Sequence, residues 1–348
     1  MISLKRNNKG ELVPATGLRT RASSIYIPNQ TDPFKISRSK FSDFLTCQRC
    51  FYLDRVKGLA SPSMPGWTLN ETTDLLLKKE FDACRANQTP HRIFSRFGLD
   101  HVVPFQHEDM DKWRNSLQHG LQIQFKDTNI ILQGGVDDIW LDKNTSKLIV
   151  VDYKSQANSR QVNTEDYLSN VFHQGYKVQM DFYAYLLTEM GFEVFPTSYF
   201  YVCNADRSAD SFDSKMKFYE TLVPYELDTG WIEEKVIEMI SLLNSEELPE
   251  INDSCENCAY AHQRSNKENG VQEIVTENFK QHQGKRKCPK CGSDQVTLIT
   301  YGYPDGSPEV MEKIKNEEVE LGGCCVDDNS PKWKCQDCEE RFGKINWA

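Results

Sequence analysis

Two acidic motifs, fifteen residues apart, constrain this chain most strongly. Asp137 lies in the segment GGVDDIW, and Asp152-Tyr153-Lys154 directly follows the apolar run LIVV. Both segments predict β-strands, joined by a polar turn. Two carboxylates and a lysine at adjacent strand ends suit a divalent metal ion and the water that it activates, which is phosphodiester-cleaving chemistry. The alternative is that these residues form only turn carboxylates and a surface ion pair on one face of a strand.

The charge of the chain is unevenly distributed. The net charge of the 348 residues is −10, but residues 1–60 carry eleven Lys/Arg against four Asp/Glu, or +7, which leaves −17 for the rest. A basic segment is compatible with DNA binding, and a disordered tail over residues 1–35 is the alternative. No apolar run approaches the roughly 20 residues that span a bilayer. The N-terminus has no apolar signal core, so we expect a cytosolic protein without membrane contact.

Eight of the twelve cysteines form four C-x-x-C pairs. In a cytosolic protein such pairs indicate metal binding rather than disulfides. A thiol redox enzyme would need a thioredoxin-like βαβ unit around a pair, and no pair has one. The pairs are Cys47/Cys50, Cys255/Cys258, Cys288/Cys291 and Cys335/Cys338.

Hydrophobic periodicity predicts both helices and strands, and therefore an α/β domain. The domain organisation that we predict is a flexible basic segment 1–35, a catalytic domain 36–262, a linker 263–287 and a small metal module 288–348. The predicted helices span residues 39–57, 69–85, 175–190 and 230–243, and the predicted strands span 120–126, 129–141, 147–154 and 197–204.

The ordered set of motifs resembles the PD-(D/E)xK nuclease superfamily, and within it the RecB-like branch, which includes the CRISPR-associated RecB-like exonucleases. The matching residues are Gly134 to Asp137 as G-x-x-D, the Asp-Tyr-Lys triplet, and Gln179-x-x-x-Tyr183 on the following helix. The resemblance implies a restriction-endonuclease-like α/β fold, a mixed sheet flanked by helices, over about residues 37–262.

The resemblance also implies a role for each matching residue. Asp137 and Asp152, helped by the carbonyl of Tyr153, would bind Mg²⁺ or Mn²⁺. Lys154 would position the attacking water or neutralise developing charge. Gln179 would orient Lys154 or contact the substrate backbone, and Tyr183 would support the site.

The chain departs from the RecB-like pattern at one ligand. That branch usually carries a metal-binding histidine on the helix before the first strand, and this chain has no histidine before His91. Asp74, with Glu71 one turn away, is the candidate replacement, and two solvated helix carboxylates are the alternative. Asp138 is expected beside the ligands or at the surface rather than as a ligand itself.

The cysteine pairs predict two separate metal sites. Several RecB-like nucleases hold an iron–sulfur cluster with cysteines before and after the core, so Cys47, Cys50, Cys255 and Cys258 would bind a [4Fe-4S] cluster or Zn²⁺. The second set, Cys288, Cys291, Cys335 and Cys338, resembles a zinc ribbon. Such a ribbon would contact DNA or a protein partner.

The combined expectation is a metal-dependent DNA nuclease in DNA repair or recombination, phage defence or CRISPR adaptation. The alternative from another class is a catalytically silent DNA-binding or scaffolding protein that retains the fold. The missing histidine favours the silent protein, whereas the complete Asp137, Asp152, Lys154 and Gln179 set favours the enzyme.

Overall fold

A computed structural model describes residues 4–62, 66–269, 287–301, 315–316, 319–322 and 330–344. The chain divides into two compact units, residues 1–265 and 266–348, close to the predicted start of the linker at 263. Residues 270–286 of that linker lie outside the described residues. Among the described helices, none has the length and apolar character needed to cross a membrane.

The helices and strands are numbered in chain order. The helices are α1 (Arg38–Thr46), α2 (Gln48–Arg55), α3 (Thr68–Asn87), α4 (Arg92–Arg96), α5 (Met110–Arg114), α6 (Thr164–Ser169), α7 (Gln174–Glu189), α8 (Ile232–Leu243) and α9 (Glu256–Glu268). The strands are β1 (Phe34–Ser37), β2 (Val102–Pro104), β3 (Leu121–Gln124), β4 (Ile130–Gly134), β5 (Asp138–Asp142), β6 (Leu148–Gln156), β7 (Thr197–Ala205), β8 (Phe218–Glu226), β9 (Val296–Thr300), β10 (Val319–Leu321), β11 (Pro331–Cys335) and β12 (Arg341–Lys344).

The predicted mixed α/β architecture is confirmed. A five-stranded sheet has the order β2-β5-β6-β7-β8, in which β6 and β7 are parallel and the other neighbours antiparallel. Its central strand, β6, begins with the apolar run Leu148–Val151, which is buried throughout. A second sheet of the same unit has the order β1-β4-β3.

Side chains of β6 alternate between two separate hydrophobic clusters. Leu148 and Val150 belong to the cluster that contains α1, α7 and α8, whereas Ile149 and Val151 belong to the cluster that contains α3. Because successive strand residues point to opposite faces, Asp152 and Lys154 face α7 and Tyr153 faces α3. Asp152 and Lys154 therefore lie on one face of the sheet, and Tyr153 lies on the other.

The two acidic motifs do not lie where we expected. The single strand predicted over 129–141 is two strands, β4 and β5, in different sheets, and Asp137 lies in the crossover just before β5. Asp152 lies inside β6 rather than at its end. The pairing of β5 with β6 ends at Asp138 and Val151, so β6 continues past the first residue of β5.

The helix predicted over 39–57 is broken in two. Cys47 adopts an extended conformation, with φ −154° and ψ 103°, between α1 and α2. This turn directs the Cys47 thiol to Cys258, with a sulfur–sulfur distance of 3.7 Å. Helical periodicity alone does not reveal the break, because the apolar residues on both sides keep their spacing.

The N-terminal segment packs against the core from Tyr26 onward, unlike the flexible segment that we predicted. Tyr26 and Phe34 are buried, and β1 pairs in parallel with β4 from Phe34 to Ser37. The Tyr26 hydroxyl donates a hydrogen bond to Asn244 Oδ1 at 3.0 Å. An edge strand made of four residues is too short for its pattern to stand out in the sequence.

The second unit contains a four-stranded sheet in the order β10-β9-β11-β12. β11 pairs antiparallel with both β9 and β12, and β9 pairs in parallel with β10. Cys335 ends β11, so the second cysteine pair of the predicted ribbon lies in the turn between β11 and β12.

Candidate active site

A hydrogen bond from the backbone of β6 holds the side chain of Asp137. The backbone N–H of Tyr153 donates to Asp137 Oδ2 at 2.8 Å, at a position of β6 that β5 no longer covers. Burial, and then the negative charge of Asp152, raises the pKa of Asp137 to about 7. Such a group prefers to keep a proton or to acquire a cation.

Asp152, Lys154 and Gln179 form one contact set on the α7 face. Asp152 is fully buried, its Oδ2 contacts Lys154 Nζ, and its Oδ1 accepts a hydrogen bond from Gln179 Nε2. The other end of the amide, Gln179 Oε1, lies 3.5 Å from Lys154 Nζ. Burial alone lowers the pKa of Lys154, but the charges of Asp152 and Asp137 raise it above its usual value.

Tyr183 extends this set along α7. Gln179 Nε2 donates to the Tyr183 hydroxyl at 3.2 Å, one helical turn away. Burial raises the pKa of Tyr183, and the neighbouring positive charge of Arg38 acts in the opposite direction. Gly134 lies against the ring, because a Cβ at that position would be 2.5 Å from Tyr183 Cε1.

Asp74 lies on α3 beside Asp137. Its Oδ1 is buried without a hydrogen-bond partner, and its Oδ2 pairs with Lys78 Nζ at 2.8 Å. Burial, and then the charge of Asp137, raises the pKa of Asp74. Glu71, the other candidate on this helix, is exposed.

The acidic residues fit a hard divalent cation. They offer carboxylate oxygens, the ligands that Mg²⁺ and Mn²⁺ prefer, and one buried oxygen of Asp74 has no partner. Within the described residues, the oxygens of Asp74, Asp137 and Asp152 do not all lie within 4.8 Å of one another. Asp137 interacts electrostatically with both Asp74 and Asp152, but the three carboxylates do not form a closed cage.

Sequence reasoning missed Lys78. Its ammonium lies 2.8 Å from Asp74 Oδ2 and 3.9 Å from Asp137 Oδ1, so it is shared by two of the candidate ligands. The signal was its position four residues after Asp74, which places both on one helical face.

Tyr176 was also missed. Lys154 Nζ lies 4.4 Å from the centroid of the Tyr176 ring, which in turn stacks on His173 with 5.1 Å between the ring centroids. A cation over an aromatic face is stabilised by the ring quadrupole. Tyr176 therefore limits the positions open to Lys154, and its place three residues before Gln179 was the available signal.

Asp138 is buried rather than exposed. Its Oδ1 accepts hydrogen bonds from Arg85 and Arg114, and its Oδ2 accepts one from the Tyr153 hydroxyl at 2.7 Å. With two arginines and a tyrosine around it, Asp138 has no free oxygen directed at Asp137.

Comparison with known proteins identifies the family. The sequence model of the PD-(D/E)XK nuclease superfamily matches residues 73–296, which is more than half of the 348-residue chain. This chain belongs to the PD-(D/E)XK nuclease superfamily. The match includes Asp74, Asp137, the Asp152 motif and Gln179, and it ends inside β9.

Other comparisons are less informative about this superfamily member. No curated protein matches it. A solved structure from Eubacterium rectale, named "Putative exonuclease", is similar over 72% of this chain and 93% of that chain, with 13% sequence identity and a TM-score of 0.33.

The first cysteine set of this nuclease-superfamily protein converges as predicted. Cys50 Sγ lies 3.6 Å from Cys255 Sγ and 3.5 Å from Cys258 Sγ. All four sulfurs lie within 4.8 Å of one another. Burial opposes ionisation, but hydrogen bonds from the Cys258 backbone and the Cys50 thiol lower the pKa of Cys255 to about 7.

The second cysteine set also converges. Cys288 Sγ lies 3.6 Å from Cys338 Sγ, and Cys291 Sγ lies 3.5 Å from Cys335 Sγ. Gly292 takes φ +76°, a left-handed conformation that glycine adopts freely, and its N–H donates to the Cys288 carbonyl at 2.9 Å. This tight turn directs both sulfurs of the first pair toward the second pair.

The sulfur spacing fits one tetrahedral ion at each site. With Zn–S bonds of about 2.3 Å, the edge of a ZnS₄ tetrahedron is about 3.8 Å, close to the observed distances. A four-iron cluster binds each cysteine at a different iron, so its cysteine sulfurs lie farther apart than those on a single ion. Both sets therefore fit a mononuclear thiolate site better than a [4Fe-4S] cluster.

Proposed function

We propose that this protein is a metal-dependent nuclease that hydrolyses phosphodiester bonds of DNA. The observation that carries the proposal is the meeting of Asp137, Asp152 and Lys154 where β5 ends its pairing with β6. Asp74 lies near this region, since Lys78 contacts both Asp74 and Asp137, and its Oδ1 is buried without a hydrogen-bond partner.

The carboxylates are the proposed metal ligands. Asp137 and Asp152, with the Tyr153 carbonyl and Asp74, would hold Mg²⁺ or Mn²⁺ through hard oxygen atoms. When bound, the ion supplies a water of lowered pKa and positive charge beside the phosphate. The raised pKa of Asp137 and of Asp74 supports this assignment, because burial and a neighbouring carboxylate charge disfavour the ionised forms, and a bound cation would offset both effects.

Lys154, Gln179 and Tyr183 act around the reacting phosphate. The ammonium of Lys154 neutralises charge that develops on the phosphate oxygens, or holds the attacking water. Gln179 fixes the direction of Lys154 because its carbonyl faces the ammonium while its N–H₂ group is bound to Asp152. Tyr183 supports Gln179 through its hydroxyl.

DNA is proposed as the substrate on two grounds. The family of the chain is a nuclease superfamily. Residues 1–60 carry a net charge of +7, and Lys5, Lys9 and Arg21 are exposed. Exposed cations on the N-terminal segment favour the approach of a phosphate backbone.

We also propose membership of the RecB-like branch, with a role in DNA repair or recombination, phage defence or CRISPR adaptation. Cysteines before the core (Cys47 and Cys50) and after it (Cys255 and Cys258) lie around one point, as in several RecB-like nucleases, although their two-and-two split differs from the one upstream and three downstream ligands of that pattern. Zinc is proposed at both cysteine sites because of the sulfur spacing. The C-terminal ribbon is the proposed contact for a protein partner or for DNA.

The test of the nuclease proposal is DNA degradation by the purified full-length protein. Labelled single- and double-stranded DNA are incubated with Mg²⁺, Mn²⁺ or EDTA, and Asp152→Asn is compared with the wild type. We expect cleavage that EDTA and Asp152→Asn both abolish. The matched control is Asp111→Asn, an exposed aspartate of α5, which should leave the rate unchanged.

Two results would overturn the proposal. Cleavage that persists in EDTA or in Asp152→Asn would exclude the proposed site. Absence of cleavage on every substrate, together with DNA binding, would favour the silent scaffolding protein instead.

A further inference from the structure

Tyr153 is bonded at both ends to consecutive acidic residues. Its backbone N–H donates to Asp137 Oδ2 at 2.8 Å, and its hydroxyl donates to Asp138 Oδ2 at 2.7 Å. The side chain is buried at 8% exposure, on the face of β6 opposite to Asp152. One residue thus connects the candidate ligand Asp137 with a carboxylate that is itself no candidate ligand.

Asp138 is the centre of a buried ion cluster. It is 0% exposed, and its Oδ1 also accepts the Ile139 N–H at 2.8 Å. Arg114 Nη2 lies 3.0 Å from Asp138 Oδ1, Arg85 contacts the same atom, and both arginines also pair with Asp82. A carboxylate this deeply buried is costly unless it is paired, and the two arginines and Tyr153 supply the partners that its burial requires.

This cluster connects four elements around the active site. Arg85 belongs to α3, Arg114 to α5, Asp138 to β5 and Tyr153 to β6. Arg85 Nε also donates to the Phe105 carbonyl at 2.7 Å. Because eleven residues make about three helical turns, Arg85 lies on the same face of α3 as Asp74.

We propose that Arg85, Arg114, Asp138 and Tyr153 form a positioning cluster that sets the distance between Asp137 and Asp74. The cluster holds Asp137 through the N–H of Tyr153, and it holds the helix of Asp74 against the sheet through Arg85. The side chains of the cluster control the affinity of the site for a divalent cation without contacting the cation themselves. The inference rests on the proposed function, because it assumes that these two carboxylates bind a metal ion.

Divalent-ion affinity separates this role from a merely structural one. An ion cluster that only stabilises the fold lowers the melting temperature when it is broken, and the folded protein then binds metal as before. A positioning cluster weakens metal binding in protein that is still folded. Loss of groups that orient metal ligands typically costs 10–100-fold in metal affinity.

The experiment compares two Tyr→Phe variants on neighbouring strands. Tyr153→Phe removes the bond to Asp138, and the control Tyr201→Phe removes a bond of 2.7 Å to Glu220 Oε1. Tyr201 is fully buried and is the residue that pairs with Tyr153 between β6 and β7. The Kd for Mn²⁺ is measured by electron paramagnetic resonance on zinc-loaded, full-length protein, with the melting temperature beside it.

We expect Tyr153→Phe to raise the Kd for Mn²⁺ by about 10-fold or more, whereas Tyr201→Phe should change it less than about 2-fold. The two variants should lose similar amounts of melting temperature. Should Tyr153→Phe fail to fold, Arg114→Lys is the second variant, since it keeps the charge but shortens the reach to Asp138. An unchanged Kd in the folded variant would overturn the positioning role alone. If Asp137→Asn binds Mn²⁺ as tightly as the wild type, Asp137 is not a metal ligand. The proposed function then fails, and the cluster has no role in metal binding.

Discussion

The side-chain amide of Gln179 donates a hydrogen bond to Asp152, from α7 to the central strand β6. The opposite end of the same amide, its oxygen, lies 3.5 Å from Lys154 Nζ. The nitrogen therefore faces the carboxylate and the oxygen faces the ammonium. An amide offers a donor and an acceptor on one group, so glutamine suits a position between a carboxylate and an ammonium.

Gln179→Glu should reduce the turnover number for DNA cleavage by about 100-fold with little change in KM, because a carboxylate there repels Asp152 and displaces Lys154. Steady-state kinetics on labelled DNA measure the effect. Glu189→Gln, an exposed position near the end of the same helix, is the control and should match the wild type. Equal activity of Gln179→Glu and the control would show that Gln179 is not part of the active site.

Asp74→Asn should raise the Mn²⁺ concentration for half-maximal activity by about 10-fold or more, because one carboxylate ligand is lost. Without metal, the variant should melt no lower than the wild type, since the repulsion between Asp74 and Asp137 is relieved. Added Mn²⁺ should then raise its melting temperature less than that of the wild type. If Asp74→Asn leaves the Mn²⁺ dependence of activity unchanged while Glu71→Gln loses activity, the ligand is Glu71, one turn earlier on α3.

Gly134→Ala should destabilise the protein by about 1–3 kcal/mol and reduce activity, because the new methyl group overlaps the Tyr183 ring. Gly175→Ala is the matched control in α7, where no atom lies within 4 Å of the added Cβ. It should be neutral or about 0.5 kcal/mol more stable. Urea denaturation measures both, and equal stability of the two variants would contradict the close packing at Gly134.

The titration of Asp181 should lower the free energy of unfolding as the pH rises from about 4 to about 6. Burial raises its pKa to about 6, although hydrogen bonds from the Asp228 N–H, Trp231 and Tyr225 act in the opposite direction. The folded chain then holds a proton that the unfolded chain has lost, so its contribution to stability is lost as the pH rises through that window.

In Asp181→Asn, the fall in unfolding free energy between pH 4 and pH 7 should be smaller than in the wild type by about 2 kcal/mol. Urea denaturation at several pH values measures the difference from the wild type. A parallel pH dependence in both proteins would show that Asp181 titrates normally.

Protein purified without oxygen should contain two zinc ions and lack the visible absorption of an iron–sulfur cluster. Cys47→Ser and Cys291→Ser should each remove one zinc ion and leave the other, because the two cysteine sets are separate. Elemental analysis measures the zinc content. A brown protein, or loss of both ions from Cys291→Ser, would contradict this assignment.

Much of the helical structure followed from periodicity. The predicted helices 69–85, 175–190 and 230–243 correspond to α3, α7 and α8 within a few residues, because each has a clear apolar pattern. The strand β8 and the short strand β2 were missed. β8 is only partly buried and follows an irregular segment, so its pattern is weak.

The sequence by itself was enough to select the candidate site residues and the cysteine pairs. Asp137, Asp152, Lys154 and Gln179 were identified from motif order, and the four C-x-x-C pairs from their spacing, because these signals depend on residue type and local distance along the chain. The pairing of the cysteine sets follows from the same order, with Cys47 and Cys50 before the core and Cys255 and Cys258 after it.

Tertiary structure alone decided how α3 meets the sheet. Lys78 becomes a shared partner of Asp74 and Asp137, and Asp138 becomes buried, only because Arg85 and Arg114 arrive from other elements. The break between β4 and β5 falls at Gly134-Gly135, a pair that favours a turn, but only the tertiary structure shows that the two strands belong to different sheets. Contacts between residues far apart in the chain depend on how faces pack against one another, and no local pattern records that.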